Sequence, residues 1–79
     1  MAPKSKYENL QTELLALERK YGLYLFDPCI DRENIAAKNL TEDTDDYWDA
    51  LFSAACDAAG GRAEEAGYDI NELLGRIIY

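Results

Sequence analysis

The chain reads as an all-α domain, a small compact bundle of three to four helices with short connections. Three observations predict this. Apolar residues recur three and four positions apart, Ser-x-x-Glu and Asp-x-x-Glu patterns open two of those runs, and no second strand is evident to pair with the one short extended apolar run. At 79 residues it forms one domain, residues 1–79, burying roughly 60% of the surface its unfolded chain exposes. An apolar fraction of 48% with 11% aromatics separates it from disordered chains, which combine high charge with low hydrophobicity.

Residues 1–4 are expected to form a frayed end. Ser5-Lys6-Tyr7-Glu8 is a capping box, in which the cap and the third helical residue satisfy each other's exposed amides, so the first helix starts there. Its apolar positions Tyr7, Leu10, Leu14, Leu17 and Tyr21 step by 3, 4, 3 and 4, a heptad seam with Leu15 beside it. Arg19 and Lys20 suit the negative helix end, and Gly22 terminates it. The seam is expected to pack inside its own domain. Pairing with a second copy, a homodimer acting as an adaptor module, is the alternative.

Leu23 to Phe26 reads as an extended apolar linker ended by Asp27-Pro28, because proline holds the residue before it out of helical geometry. Asp31 then caps a short second helix, Arg32–Asn39, turning Ile35, Ala36 and Leu40 inward. Thr41 or Thr44 caps the third helix and Gly60-Gly61 ends it, leaving residues 62–66 at most a brief turn. Asp69-Ile70-Asn71-Glu72 repeats the capping logic, opening a final helix from Ile70 to near Tyr79 with Ile70, Leu73, Leu74, Ile77 and Ile78 on its apolar face. Gly75 would sit mid-helix there, unfavourable by about 1 kcal/mol relative to Ala.

The third helix divides sharply. Glu42, Asp45, Asp46, Asp49, Ser53 and Asp57 fall on one face, and Tyr47, Trp48, Leu51, Phe52, Ala55, Ala58 and Ala59 on the other, with Cys56 near the acidic edge. Sixteen acids against eight bases give a net charge of −8, which argues against phosphate or nucleic-acid binding. Residues 40–61 hold six acids and no base, whereas residues 1–20 hold four bases and three acids. Carboxylates in the first turn answer the helix dipole. Asp49 and Asp57 lie beyond it and have no such local reason. The expected partner-binding residues are therefore Glu42, Asp43, Asp45, Asp46, Asp49 and Asp57, with Tyr7, Tyr24 and Tyr68 as further interface candidates and Tyr47 at the border of the apolar face. From Glu42 to Asp49 the helix would carry about one charge per 2 Å, against roughly one per 1.7 Å of duplex DNA.

No histidine is present, so Ser-His-Asp and Cys-His catalysis and Cys/His zinc sites are ruled out. An EF-hand starting at Asp43 fails at its third ligand (Tyr47), its glycine position (Trp48) and its twelfth position (Ala54). Gly60-Gly61-Arg62 lacks the lysine and preceding strand of a phosphate loop. No enzyme activity, cofactor or metal is expected. Cys29 and Cys56 are read as free thiols, a disulfide being the alternative, and a soluble cytoplasmic protein without signal peptide or membrane span is expected.

Short length, absence of catalytic motifs and the dense Thr41-Glu-Asp-Thr-Asp-Asp-Tyr-Trp-Asp49 segment make the chain similar in character to the small acidic anti-defence proteins of phages and mobile elements, among them anti-CRISPR proteins and other DNA mimics. That resemblance implies a non-enzymatic inhibitor or decoy whose acidic helix engages a basic, nucleic-acid-binding surface of a partner protein.

Overall fold

Two long helices carry the fold because each has an apolar stripe that the other helps to cover, with Leu25, Phe26, Ile35 and Ile70 completing the same core. The computed structural model describes residues 3–75. They form α1 (Pro3–Tyr21), α2 (Pro28–Ile35), a 3₁₀ turn (Ala36–Lys38), α3 (Asp45–Glu65) and α4 (Ile70–Leu74), with no strand among the described residues. On α1 the seam residues Tyr7, Leu10, Leu14 and Leu17 are buried. On α3 the buried stripe is Tyr47, Leu51, Ala55, Ala59 and Ala63, every fourth residue. The large leucines of one helix meet the small alanines of the other, which lets the axes approach closely along α1 and α3.

A four-residue step advances 400° on a helix of 100° per residue, so the buried stripe drifts about 40° around α3 at each step. This drift overturns one expectation: Cys56 is buried within the core and not at the acidic edge. The buried sector has rotated onto position 56 by the time it reaches Ala59 and Ala63.

The helix boundaries differ from the sequence reading at several points. α1 already begins at Pro3, so Pro3 and Lys4 are helical and Ser5 lies inside the helix, not at its cap. Proline suits a first helical position because its missing N–H is not needed there. Residues 1 and 2 lie outside the described residues. At the other end Gly22 adopts φ +67, and Leu23 N donates back to Glu18 O at 3.2 Å, the six-to-one bond of a Schellman cap.

α2 is capped by Asp27 and not by Asp31. Asp27 is extended, its carboxylate accepts from Cys29 N and Ile30 N, and Pro28 occupies the first helical position. The helix therefore starts four residues earlier than expected. Asn39, left-handed at φ 54, closes the 3₁₀ turn. Ile35 is buried and Leu40 half-buried, while Ala36 faces solvent. Burying an Ile side chain stabilises by about 1.5–3 kcal/mol.

Thr44, the second of the two candidates, caps α3 by accepting from Tyr47 N. Glu42 and Asp43 consequently sit in the preceding turn, off the helix. Gly60-Gly61 does not end α3, which runs on to Glu65 so that residues 62–65 are helical. The end comes at Gly67, φ +87, with Gly67 N to Glu64 O at 2.9 Å and Tyr68 N to Ala63 O at 2.8 Å, a second Schellman cap. Asp69 caps α4 as expected. Gly75, left-handed at φ 71, then ends α4 at Leu74, so Gly75 is a terminator and not an interior residue. The expected continuation through Ile77 and Ile78 lies outside the described residues.

An aromatic cluster and a polar staple finish the core. Tyr7 packs against Phe26 and Trp48 with ring centroids 6.0 and 5.8 Å apart, and Trp48 meets Tyr47 edge-on at 5.1 Å. The Trp48 indole N–H donates to Glu42 O at 2.7 Å, fixing the 41–44 turn against α3. The extended linker is held from both sides. One Glu18 carboxylate oxygen accepts from Leu25 N and Phe26 N, and Arg62 donates to Leu25 O at 3.0 Å.

Candidate functional site

The face of α3 opposite its buried stripe is a second stripe of the same period. Asp45, Asp49, Ser53, Asp57, Gly61 and Glu65 follow every fourth residue and all are exposed. Displaced two residues, or about 200°, from the inner stripe, this outer one is turned away from the core along the whole helix. Asp46 and Glu64 flank it, also exposed. Among the described residues no Lys or Arg side chain lies within ion-pairing distance of Asp45, Asp46, Asp49 or Asp57. The nearest cations of α1 serve the margin: Lys4 stands 5.5 Å over the Trp48 ring and Lys6 5.4 Å over Phe52.

Asp45, Asp46, Asp49 and Asp57 are thus brought together on one helix. Glu42 and Asp43 are exposed in the turn before it. Asp43 also has a local role, since its carboxylate accepts from the Thr41 hydroxyl and from its own backbone N–H, which hold it below the usual carboxylate range. Six carboxylates on α3, from Asp45 to Glu65, span twenty residue steps, or about 30 Å, one per about 5 Å. That is about three times sparser than duplex DNA. The helix offers a negative surface but does not reproduce the charge spacing of a duplex.

Two acidic elements converge at the far end. An open groove of about 620 Å³ lies between α3 and the 67–72 segment, with Gly60 and Gly61 among the lining residues and with Asp57, Glu64, Asp69, Glu72 and Tyr68 around it. Sequence reasoning missed this groove because it took the two glycines for a helix end.

The heptad seam is used by the chain itself. Tyr7, Leu10, Leu14 and Leu17 are buried in the intrachain core, and only Tyr21, 39% exposed, reaches the surface, where its ring meets Tyr68 at 5.5 Å. Tyr24 is the most exposed large apolar side chain described, at 55%. Its hydroxyl donates to Asp27, and the Arg62 guanidinium stacks 4.6 Å from its ring. Tyr7, in contrast, is no interface residue. Burial, with the Asp31 carboxyl nearby, pushes its phenol up to about 12.

Asp31 is the residue that the sequence reading placed wrongly. It is 0% exposed, and neither carboxylate oxygen has a hydrogen-bond partner; the Tyr7 hydroxyl is also buried and unpartnered. Burial raises the Asp31 carboxyl above its ordinary value, against the lowering pull of Arg62 and with a smaller push from Asp27. Burial of a carboxylate without a hydrogen-bond partner disfavours its ionised form. The signal lay in Asp27-Pro28: once that pair is read as cap and first residue, Asp31 and Ile35 stand four apart on one helical face.

Among the described residues no group of three or more His, Cys, Asp or Glu side chains is arranged to hold a metal ion, and no helix is long and apolar enough to cross a membrane. Both cysteines are free, Cys29 exposed and Cys56 buried. Comparison of the chain with protein-family models, with curated proteins and with solved structures finds no match.

Proposed function

We propose that the protein acts without catalysis, as an inhibitor or decoy that lays the outer stripe of α3 on a basic surface of a partner protein. One observation supports this most: Asp45, Asp49 and Asp57 form an exposed line with no cation paired to it among the described residues, on a helix whose opposite line carries the core. Like charges four apart on a helix destabilise it by a few tenths of a kcal/mol per pair. A cationic partner relieves that repulsion and releases ordered counterions. In its most specific form the partner surface is one that holds nucleic acid, and the chain occupies it as anti-CRISPR and related anti-defence proteins do. The sparse spacing on α3 favours neutralising such a surface over copying the shape of a duplex.

The test is capture from a host lysate on the immobilised chain at low and high salt. The wild type retains a partner that salt releases, and Asp49→Lys/Asp57→Lys/Glu65→Lys retains none while keeping wild-type helicity. Equal retention by the variant, or retention indifferent to salt, contradicts the reading. Duplex DNA added as competitor displaces the partner when its surface is a nucleic-acid site.

A further inference from the structure

Among the described helices α2 is the one that buries a carboxyl group. Only two of its residues are buried, Ile35 and Asp31. Cys29, Ile30, Arg32, Glu33 and Asn34 face solvent. Non-helical backbone flanks α2 and its 3₁₀ turn on both sides, residues 22–27 before and 39–44 after; both flanks are pinned, at Leu25 and Phe26 by Glu18 and Arg62 and at Glu42 by Trp48, so α2 lies between two held ends.

Around Asp31 stand Arg62 from α3, Tyr7 from α1, Tyr24 from the linker and Asp27 at the N-terminus of α2 itself. None supplies a bond to it. Arg62 is engaged elsewhere, donating to Leu25 O and stacked on Tyr24. Tyr7 has its hydroxyl buried without a hydrogen bond to the carboxylate, and Asp27 is another acid whose oxygens cap α2 and accept from Tyr24. The closed packing therefore accommodates the neutral acid and offers the anion no hydrogen bond, only the pull of the Arg62 charge, which burial outweighs.

We propose that α2 is a proton-held clasp: it stays packed on α3 while Asp31 is neutral, and loss of that proton releases the helix until the carboxylate reaches water. The sign follows from burial. The closed state binds the proton more tightly than the open one, so closure is undisturbed below the ordinary carboxylate value of 3.8 and weakens as pH rises toward the raised value. Each unit between the two costs about tenfold in the closing equilibrium. Release uncovers Ile35 and the Ala50, Ala54 and Ala58 side of α3, which borders Ser53 and Asp57 of the outer stripe. Asp27 works oppositely, since the Tyr24 hydroxyl and two backbone amides hold it below the usual range, so the cap it makes is lost only as pH falls.

Native-state hydrogen exchange on the full chain from about pH 4 to about pH 8 tests this, with protection corrected for intrinsic exchange. Protection of the Arg32–Ile35 amides should fall as pH rises above the ordinary carboxylate value, by about tenfold for each unit that separates the closed-state value from it, while amides around Leu14 and Leu51 hold level. Asp31→Asn should flatten the α2 profile, and Asp49→Asn, which removes the same charge from the surface, should leave it as in the wild type. A pH-independent α2 profile in the wild type, an equal fall in all helices, or an unaltered slope in Asp31→Asn overturns the proposal. Should Asp31→Asn not fold, the carboxyl ¹³C titration of the wild type decides: a midpoint for Asp31 above the ordinary carboxylate value of 3.8 supports the clasp, and one at or below it refutes it.

Discussion

The α1–α3 pair and α2 are held by opposite means. Along α1 and α3, four seam residues on one side and an alanine-rich stripe on the other remove apolar surface from water and bury no carboxyl group. α2 has a single apolar anchor, Ile35, and beside it a carboxyl with no partner. On the clasp proposal, stability is distributed unevenly: the pair opens only with the whole molecule, and α2 opens by itself. The long helices form the scaffold, and the outer face of α3 is left free for contact because its inner face does the folding.

The largest effect should come from the scaffold. Leu14→Ala deletes a fully buried side chain, and such deletions cost about 2–5 kcal/mol. Urea unfolding should report that loss together with a loss of helical signal across the chain. Ile35→Ala should cost less in global stability, because freeing α2 limits the damage. Its main effect should be faster exchange confined to α2. Equal global losses at the two positions would break the distinction between pair and clasp.

The same contrast explains what was legible in the sequence. The α1 stripe could be read because one strict heptad pattern points one way, and Gly22, Thr44 and Asp69 act through bonds to neighbouring residues. Three features depended on tertiary context. Asp27-Pro28 looks alike as an extended stop or as cap and first residue, and only the burial of Ile35 beneath it decides. Gly60-Gly61 continues as helix because the alanine stripe carries on to Ala63, and Gly67 supplies the left-handed residue a few positions later. Cys56 turns inward because a stripe of period four winds around α3, which a fixed two-faced helix does not capture. The acidic positions were legible individually. Their alignment into one outer stripe, without Glu42 and Asp43, required the true start of α3.

Gly61 gives a smaller effect of opposite sign. It lies in mid-helix on the outer stripe, and an added Cβ would meet nothing within 4 Å. Gly61→Ala should stabilise by about 0.5–1 kcal/mol in urea unfolding. A loss at this position would mean that the glycine is needed where it stands.

The smallest expected shift bears on the central claim, that the outer stripe serves contact and not the fold. Unfolding of Asp49→Asn/Asp57→Asn/Glu65→Gln should be measured beside the wild type. The account predicts stability unchanged or raised by a few tenths of a kcal/mol, since repulsion is removed and no bond is lost. A loss of more than about 1 kcal/mol would place those carboxylates among the supports of the fold and contradict it.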